Sequence, residues 1–296
     1  MDIRAYLEDK KKFFDNVIET MIEPLKEHSV LYAAMSYSLL SGGKRIRPIL
    51  MYSTFKSLSE NEEAILPFAV AIEMIHTYSL IHDDLPIMDN SNLRRGKPTC
   101  HKVYGEDMAL LAGDALISLA FEIISNPSNQ KNFPSDKILS VVYDFGVLTG
   151  IKGLVGGQVM DIVTSGAESV DEETILYIER KKTASLITLA VRSGGILGGA
   201  DDKEVDALTN FGTNLGISYQ IVDDILDATS TEEVLGKDTG QDKKNLKATF
   251  VALYGVERAK EIAREFVEKA VSFLEPYGKK YDLLAEIARF SLERIK

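Results

Sequence analysis

The chain has 296 residues, 45% of them hydrophobic, and a formal net charge of −11. That length can bury a sizeable core, and the acidic balance argues against a nucleic-acid partner, which would want a basic surface. The single cysteine, Cys100, excludes an intrachain disulfide and points to a reducing cytoplasm. The opening MDIRAYLEDKKKFF lacks an apolar h-region, so no secretory signal is expected. No run of about 20 apolar residues is read, so no membrane span is expected either. No Pro/Gly/Ser linker divides the chain, and one domain over residues 1–296 is expected.

Residues 5–27 predict an amphipathic helix, with Phe14, Val17, Ile18, Met21, Ile22 and Leu25 on one stripe. Residues 31–40 continue helical until Ser41-Gly42-Gly43 stops them. In GGKRIRP (42–48), Lys44 and Arg47 share one side at the start of the next helix, a phosphate seat. Taken alone, that motif reads rather as a solvated basic turn. Residues 62–85 read as one central helix, apolar on most faces, ending in Asp83 and Asp84. Carboxylates at that end oppose the helix dipole, which suggests that a metal ion offsets them. Residues 104–125 and 138–149 are further helices, separated by a polar loop at 126–135. Glycine-rich 150–157 leads into GGQVMD, where small residues allow close packing and Gln158 and Asp161 share a face. Residues 172–194, 211–228 and 257–296 read as helix. No alternating strand pattern emerges. The predicted fold class is all-α: long helices around a central hydrophobic cavity, with acidic clusters facing each other at its mouth.

Those clusters carry the chemistry. Asp83, Asp84 and Asp89 lie in DDLPIMD, just before Arg94, Arg95 and Lys97; Asp223, Asp224 and Asp227 lie in QIVDDILD. Mg²⁺ takes one or two protein carboxylates and completes its shell with water and substrate phosphate. Two acidic clusters, one beside forked cations, therefore suggest metal ions clamping a polyphosphate. Asp223 and Asp227 are four apart and share a helix face, about 40° apart. Asp83 and Asp89 would stand about 240° apart on a continuous helix. Pro86 resolves this, because it ends the helix near Leu85 and lets the chain bend Asp89 back beside Asp83. Gln220 lies three before Asp223, and both are expected to project into the same space.

DDLPIMD followed by LRRGKPT resembles the first aspartate-rich motif of the trans-isoprenyl diphosphate synthases, in its bacterial and plastid form, and QIVDDILD resembles the second. The resemblance runs from about Ser41 to Phe250. It implies that Asp83, Asp89 and Asp223 bind Mg²⁺, roughly three ions per active site with substrate. By the same resemblance Lys44, Arg47, His76 and Arg95 bind isopentenyl diphosphate, although a buried structural histidine is the alternative for His76. Arg94, Lys182, Thr183, Gln220, Lys237 and Lys247 would hold the allylic diphosphate. Lys182, Thr183, Gln220 and Arg94 would also be catalytic, the Lys182-Thr183 pair sitting at a helix break. One departure is local: the family ends its lysine-rich stretch with Thr-Tyr-Pro, and this chain has Thr249-Phe250-Val251.

Tyr78 lies five residues before Asp83, about 7.5 Å along the helix axis. With Ser79 it is expected to set chain length, its ring flooring the pocket below the metals. An aromatic residue there accompanies short products in the family, so the resemblance implies farnesyl diphosphate as product, made from dimethylallyl or geranyl diphosphate. A geranylgeranyl diphosphate synthase is the nearest alternative. A terpene cyclase would not need Lys44, Arg47 and His76 for a second diphosphate. A non-catalytic subunit of a heteromeric synthase would be expected to lose aspartates. The resemblance also implies a homodimer.

Overall fold

The computed structural model describes residues 2–167, 169–229 and 247–295. Helices dominate throughout, as the periodicity predicts. Two compact units form, one from residues 2–49 and 63–134, the other from 50–62, 135–167, 169–229 and 247–295.

The first unit is built on α1 (Ile3–Ile22), α2 (Ser29–Leu39), α4 (Leu66–Asp83), α5 (Cys100–Tyr104), α6 (Glu106–Ser125) and the short α7 (Pro127–Gln130); α3 (Ile46–Lys56) runs on from it into the second. Asp2 caps α1, its carboxylate accepting from the backbone N–H groups of Arg4 and Ala5. Phe14 and Ile18 of α1 are fully buried, as the stripe requires. α4 packs mainly against α6, and nearly every residue from Phe68 to Tyr78 is buried. A helix apolar all round has to be covered all round, so α4 is the central rod of its unit. Residues 62–65 form a 3₁₀ turn, and Pro67 sits in the first turn of α4, where a missing N–H costs nothing.

The second unit holds α8 (Ser135–Thr149), α9 (Leu154–Thr164), α10 (Glu172–Ile178), α11 (Ala184–Gly198), α12 (Asp202–Thr229) and, after residue 247, Phe250–Tyr254, Val256–Ser272 and Asp282–Ser291. α12 is packed against both α11 and Val256–Ser272. Its core gathers Ile217, Ile221, Val222 and Ile225 with Ala184, Phe250, Ile262 and Ala263.

Several expectations need correction. α12 starts at Asp202, well before the apolar pattern at Phe211. The loop at 126–135 contains a helical turn, Pro127–Gln130, capped by Asn126. A short antiparallel ladder, β1 (Leu93–Arg94) with β2 (Lys97–Pro98), interrupts the all-helical pattern. Two residues per strand are too few to show alternation. By length and composition, Glu62–Asp83, Glu106–Ser125 and Ser135–Thr164 are apolar enough to cross a membrane, which corrects the reading that no run of about 20 apolar residues occurs. The first has 72% of its apolar window buried within the protein, whereas the other two have 39% each. Glycine and polar interruptions hid these stretches from a search for unbroken apolar runs.

Candidate active site

In the first unit the site grows from the end of α4. The helix stops at Asp83, and Leu85-Pro86 turns the chain. The N–H of Asp89 then donates to the carbonyl of Asp83 at 2.9 Å, and that of Asn90 to the carbonyl of Leu85 at 3.0 Å. The bend expected from Pro86 is therefore present, with Asp89 returned to Asp83. Asp84 is buried, and Arg94 grips it with two hydrogen bonds, Nε at 3.1 Å and a terminal nitrogen at 2.5 Å. Asp84 thus serves as the counter-ion that orients Arg94, while Asp83 and Asp89 stay half-exposed. The β1–β2 ladder delivers Arg94 there: Arg95 and Gly96, both with positive φ, make its two-residue loop.

Arg95 turns its guanidinium onto Ser41-Gly42, donating to the Gly42 carbonyl and, at 3.3 Å, to the Ser41 hydroxyl. Burial and the nearby Arg45, Arg94 and Arg47 lower its pKa to about 10, against an opposing pull from Glu73. His76 stands in the same field. Desolvation, then Arg47, Arg95, Arg94 and Arg45, hold its pKa well below the usual imidazole range. At neutral pH it is a neutral hydrogen-bonding group beside a concentration of arginine charge. Lys44 is exposed and Arg47 half-buried. Among the described residues, the non-glycine residues with positive φ are Arg45, Asn90 and Arg95, all in these loops. Backbone strain gathered at one place marks a site whose geometry is fixed by its surroundings. Tyr78 is buried, its ring edge-to-face with His82 at 5.7 Å, and burial raises its pKa to about 12. The Ser79 hydroxyl donates to the carbonyl of His76 at 2.8 Å.

In the second unit the site forms where the helix predicted over 172–194 breaks. Residues Glu179–Thr183 make a π-helical turn between α10 and α11. This turn throws Lys182 and Thr183 in different directions. Lys182 Nζ donates to Asp161 of α9 at 2.6 Å, and Lys247 Nζ lies 3.8 Å from the same carboxylate oxygen. Thr183 Oγ1 donates to Gln220 Oε1 of α12 at 2.5 Å, and Gln220 Nε2 donates to Asp224 at 2.7 Å. Gly157 makes this approach possible, since a Cβ there would collide with the backbone nitrogen of Lys182. Lys182, Thr183, Gln220, Asp224, Lys247 and Asp161 line one pocket.

Asp223 does not share that pocket. Gln220 reaches Asp224, about 40° away around the helix, in preference to Asp223 at about 60°. The half-exposed Asp223 instead accepts from Arg294 at 2.5 Å, and Arg294 lies over the Tyr219 ring at 5.0 Å. The expectation that Gln220 and Asp223 project together is corrected accordingly. Lys237 lies outside the described residues. Sequence reasoning missed Arg45, Glu73 and Arg294. The signal for Glu73 was a lone acid within the apolar run FAVAIEMI; Arg294 gave none.

Among the described residues, no three His, Cys, Asp or Glu side chains converge as a ready metal cage. The donors still fit Mg²⁺, which takes few protein carboxylates and finishes its shell with water and phosphate oxygens. Asp83 and Asp89 are brought to one turn. The side-chain oxygen of Gln158 is buried with no hydrogen-bond partner among the described residues, an acceptor suited to a bound water.

A helical frame that groups aspartates with arginines and lysines at helix ends defines a transferase fold of the isoprenoid synthase type. The same fold is seen in a Pyrococcus horikoshii geranylgeranyl pyrophosphate synthetase, at 32% identity and a TM-score of 0.86 over 99% of this chain and 98% of that one. It is seen again in a Helicobacter pylori geranyltransferase complexed with magnesium and isoprenyl diphosphate, at 34% identity and a TM-score of 0.81 over 96% of each chain. The Polyprenyl synthetase family model matches residues 28–283, and the chain belongs to that family, as a short-chain trans-prenyltransferase. Among relatives, a geranylgeranyl diphosphate synthase of Cyanophora paradoxa is 42% identical over 99% of this chain and 97% of its own. A farnesyl diphosphate synthase of Geobacillus stearothermophilus is 43% identical over 91% of this chain and 90% of its own.

Proposed function

We propose that the chain condenses isopentenyl diphosphate with dimethylallyl or geranyl diphosphate to farnesyl diphosphate, in a Mg²⁺-dependent reaction within one catalytic domain. The bond between the allylic carbon and oxygen breaks, and diphosphate leaves with the electron pair. The double bond of isopentenyl diphosphate attacks the allylic cation, and the condensed product loses a proton to the departed diphosphate. Asp83, Asp89 and Asp223 would hold Mg²⁺, which would supply Lewis-acid neutralisation of the leaving group. Arg94, Lys182, Lys247 and Lys237 place fixed positive charge where negative charge develops. Thr183 presents its oxygen toward the developing cation, and Gln220, which accepts from that hydroxyl at 2.5 Å, holds it in place beside the allylic diphosphate. Lys44, Arg47 and Arg95 seat isopentenyl diphosphate, and neutral His76 donates a hydrogen bond to it. Ser79 assists Tyr78 in setting chain length.

The observation that carries the farnesyl product is Tyr78, a buried ring on α4 five residues before Asp83. Tyr78→Ala should lengthen the product toward geranylgeranyl diphosphate, read by chromatography of products made from labelled isopentenyl diphosphate. An unchanged profile refutes the floor. The 42% identity to the Cyanophora geranylgeranyl diphosphate synthase favours a second reading, with a deeper pocket and geranylgeranyl diphosphate as the wild-type product. Turnover by the purified chain alone tells either synthase from a non-catalytic subunit. We also propose a cytoplasmic homodimer. Leu110 and Leu111 of α6 are exposed apolar residues that support an interface between copies. Sedimentation of the purified protein tests it.

A further inference from the structure

Arg45 is used by none of the chemistry above, yet its side chain is fully buried. Its Nε donates to Asp15 of α1 at 2.8 Å. One terminal nitrogen donates to Glu73 of α4 at 2.7 Å, the other to the carbonyl of Leu39 in α2 at 2.7 Å. Glu73 is itself buried, and its charge and that of Asp15 raise the Arg45 pKa against the cost of burial. With its charge compensated by two carboxylates, this guanidinium offers little attraction to a substrate anion. What it offers is geometry. Arg45 stands between Lys44 and Arg47 and has a φ of 51°. A left-handed arginine persists only where its surroundings over-determine it. Three helices do so here, through one planar fork. Glu73 lies one turn before His76 on α4, so the same anchor sets the loop's distance from that imidazole.

We propose that Arg45 is a positioning residue for isopentenyl diphosphate: it clamps the turn at 42–45 to α1, α2 and α4, and so aims Lys44 and Arg47 without touching the substrate. The inference rests on the reading of Lys44 and Arg47 as the isopentenyl diphosphate seat.

The test uses the full chain. Arg45→Met leaves Glu73 as a buried, poorly paired charge, so it should lower Tm and raise KM for isopentenyl diphosphate. Arg45→Met/Glu73→Met removes both charges, and replacing a buried ion pair with apolar side chains commonly restores stability. The double variant should therefore regain most of the lost Tm while its KM for isopentenyl diphosphate stays raised about tenfold, because misplaced binding groups cost that order of rate and affinity. KM for the allylic diphosphate should stay near wild type. Recovery of KM together with Tm, or an equal rise in both KM values, overturns the proposal. Should the double variant not fold, Asp15→Asn loosens only the outer hydrogen bond; a rise of about twofold or more in KM for isopentenyl diphosphate alone supports the clamp, and no rise overturns it. Lys44→Gln and Arg47→Gln are run beside these. If they leave that KM unchanged, the seat itself is misread; if they raise it while the Arg45 variants do not, only the clamp fails.

Discussion

Asp84→Asn isolates the grip on Arg94. The carboxylate is buried, the Arg94 side chain is 27% exposed, and the pair is bidentate. Breaking a buried pair by removing one charge costs about 3–5 kcal/mol. Partial exposure of Arg94 lets water take up some of that loss, and an asparagine oxygen keeps one acceptor in place. About 2–3 kcal/mol of stability should go, which for a chain of this size corresponds to a fall in Tm of roughly 4–10 °C. Arg94 would then no longer be held for the allylic diphosphate, so kcat/KM for that substrate should drop about 10- to 100-fold. Thermal unfolding followed by circular dichroism gives the first number, and steady-state kinetics with varied allylic diphosphate the second. A Tm within about one degree of wild type, with kcat/KM changed less than about threefold, would refute the assignment of Asp84 as the counter-ion that orients Arg94.

Three further outcomes are expected. His76 has a folded pKa well below 6.5, so under acid the unfolded chain binds a proton the folded chain refuses. Its contribution is intact above about pH 6.5 and is lost as pH falls below that, with a slope of up to about 1.4 kcal/mol per pH unit. Tm measured from pH 7.5 to 5 should fall more steeply with pH for wild type than for His76→Gln, and equal dependence on pH contradicts the assignment. Gly157→Ala drives a methyl into the Lys182 backbone, so it should cost about 1–3 kcal/mol in urea unfolding and depress kcat; a neutral result would mean that α9 can step back. With Asp223 as the proposed Mg²⁺ ligand, its contact with Arg294 sets up a competition, so Arg294→Gln should lower the Mg²⁺ needed for half-maximal turnover by roughly two- to fivefold. Calorimetric titration of Mg²⁺ with inorganic pyrophosphate should shift the same way, and an unchanged requirement counts against competition.

What could be read from sequence was local. Pro86 announced the bend that returns Asp89 to Asp83, because a proline constrains its immediate predecessor. Lys182-Thr183 marked the break in its helix through resemblance, and α4 declared itself by apolarity on every face. Long-range partnerships were not legible. Arg45 finds Glu73 28 positions away, and Arg294 finds Asp223 71 positions away. Nothing in the spacing of either pair encodes that meeting, which depends on how helices pack. Gln220 shows the limit within one helix: both neighbouring aspartates lie within reach, and periodicity favours Asp224 only by the difference between about 40° and about 60° around the axis.

The wide turn at Glu179–Thr183 carries a consequence for insertions and deletions. A π-helical turn closes its hydrogen bonds over five residues where an α-turn closes them over four. Removing a single position here would let the turn close as ordinary α-helix, leaving α11, buried along most of its length, in phase with α10 and still facing α8 and α12. What would be lost is the local displacement that gives Lys182 to Asp161 and Thr183 to Gln220. The extra residue carries the site, and the packing of the helix does not need it.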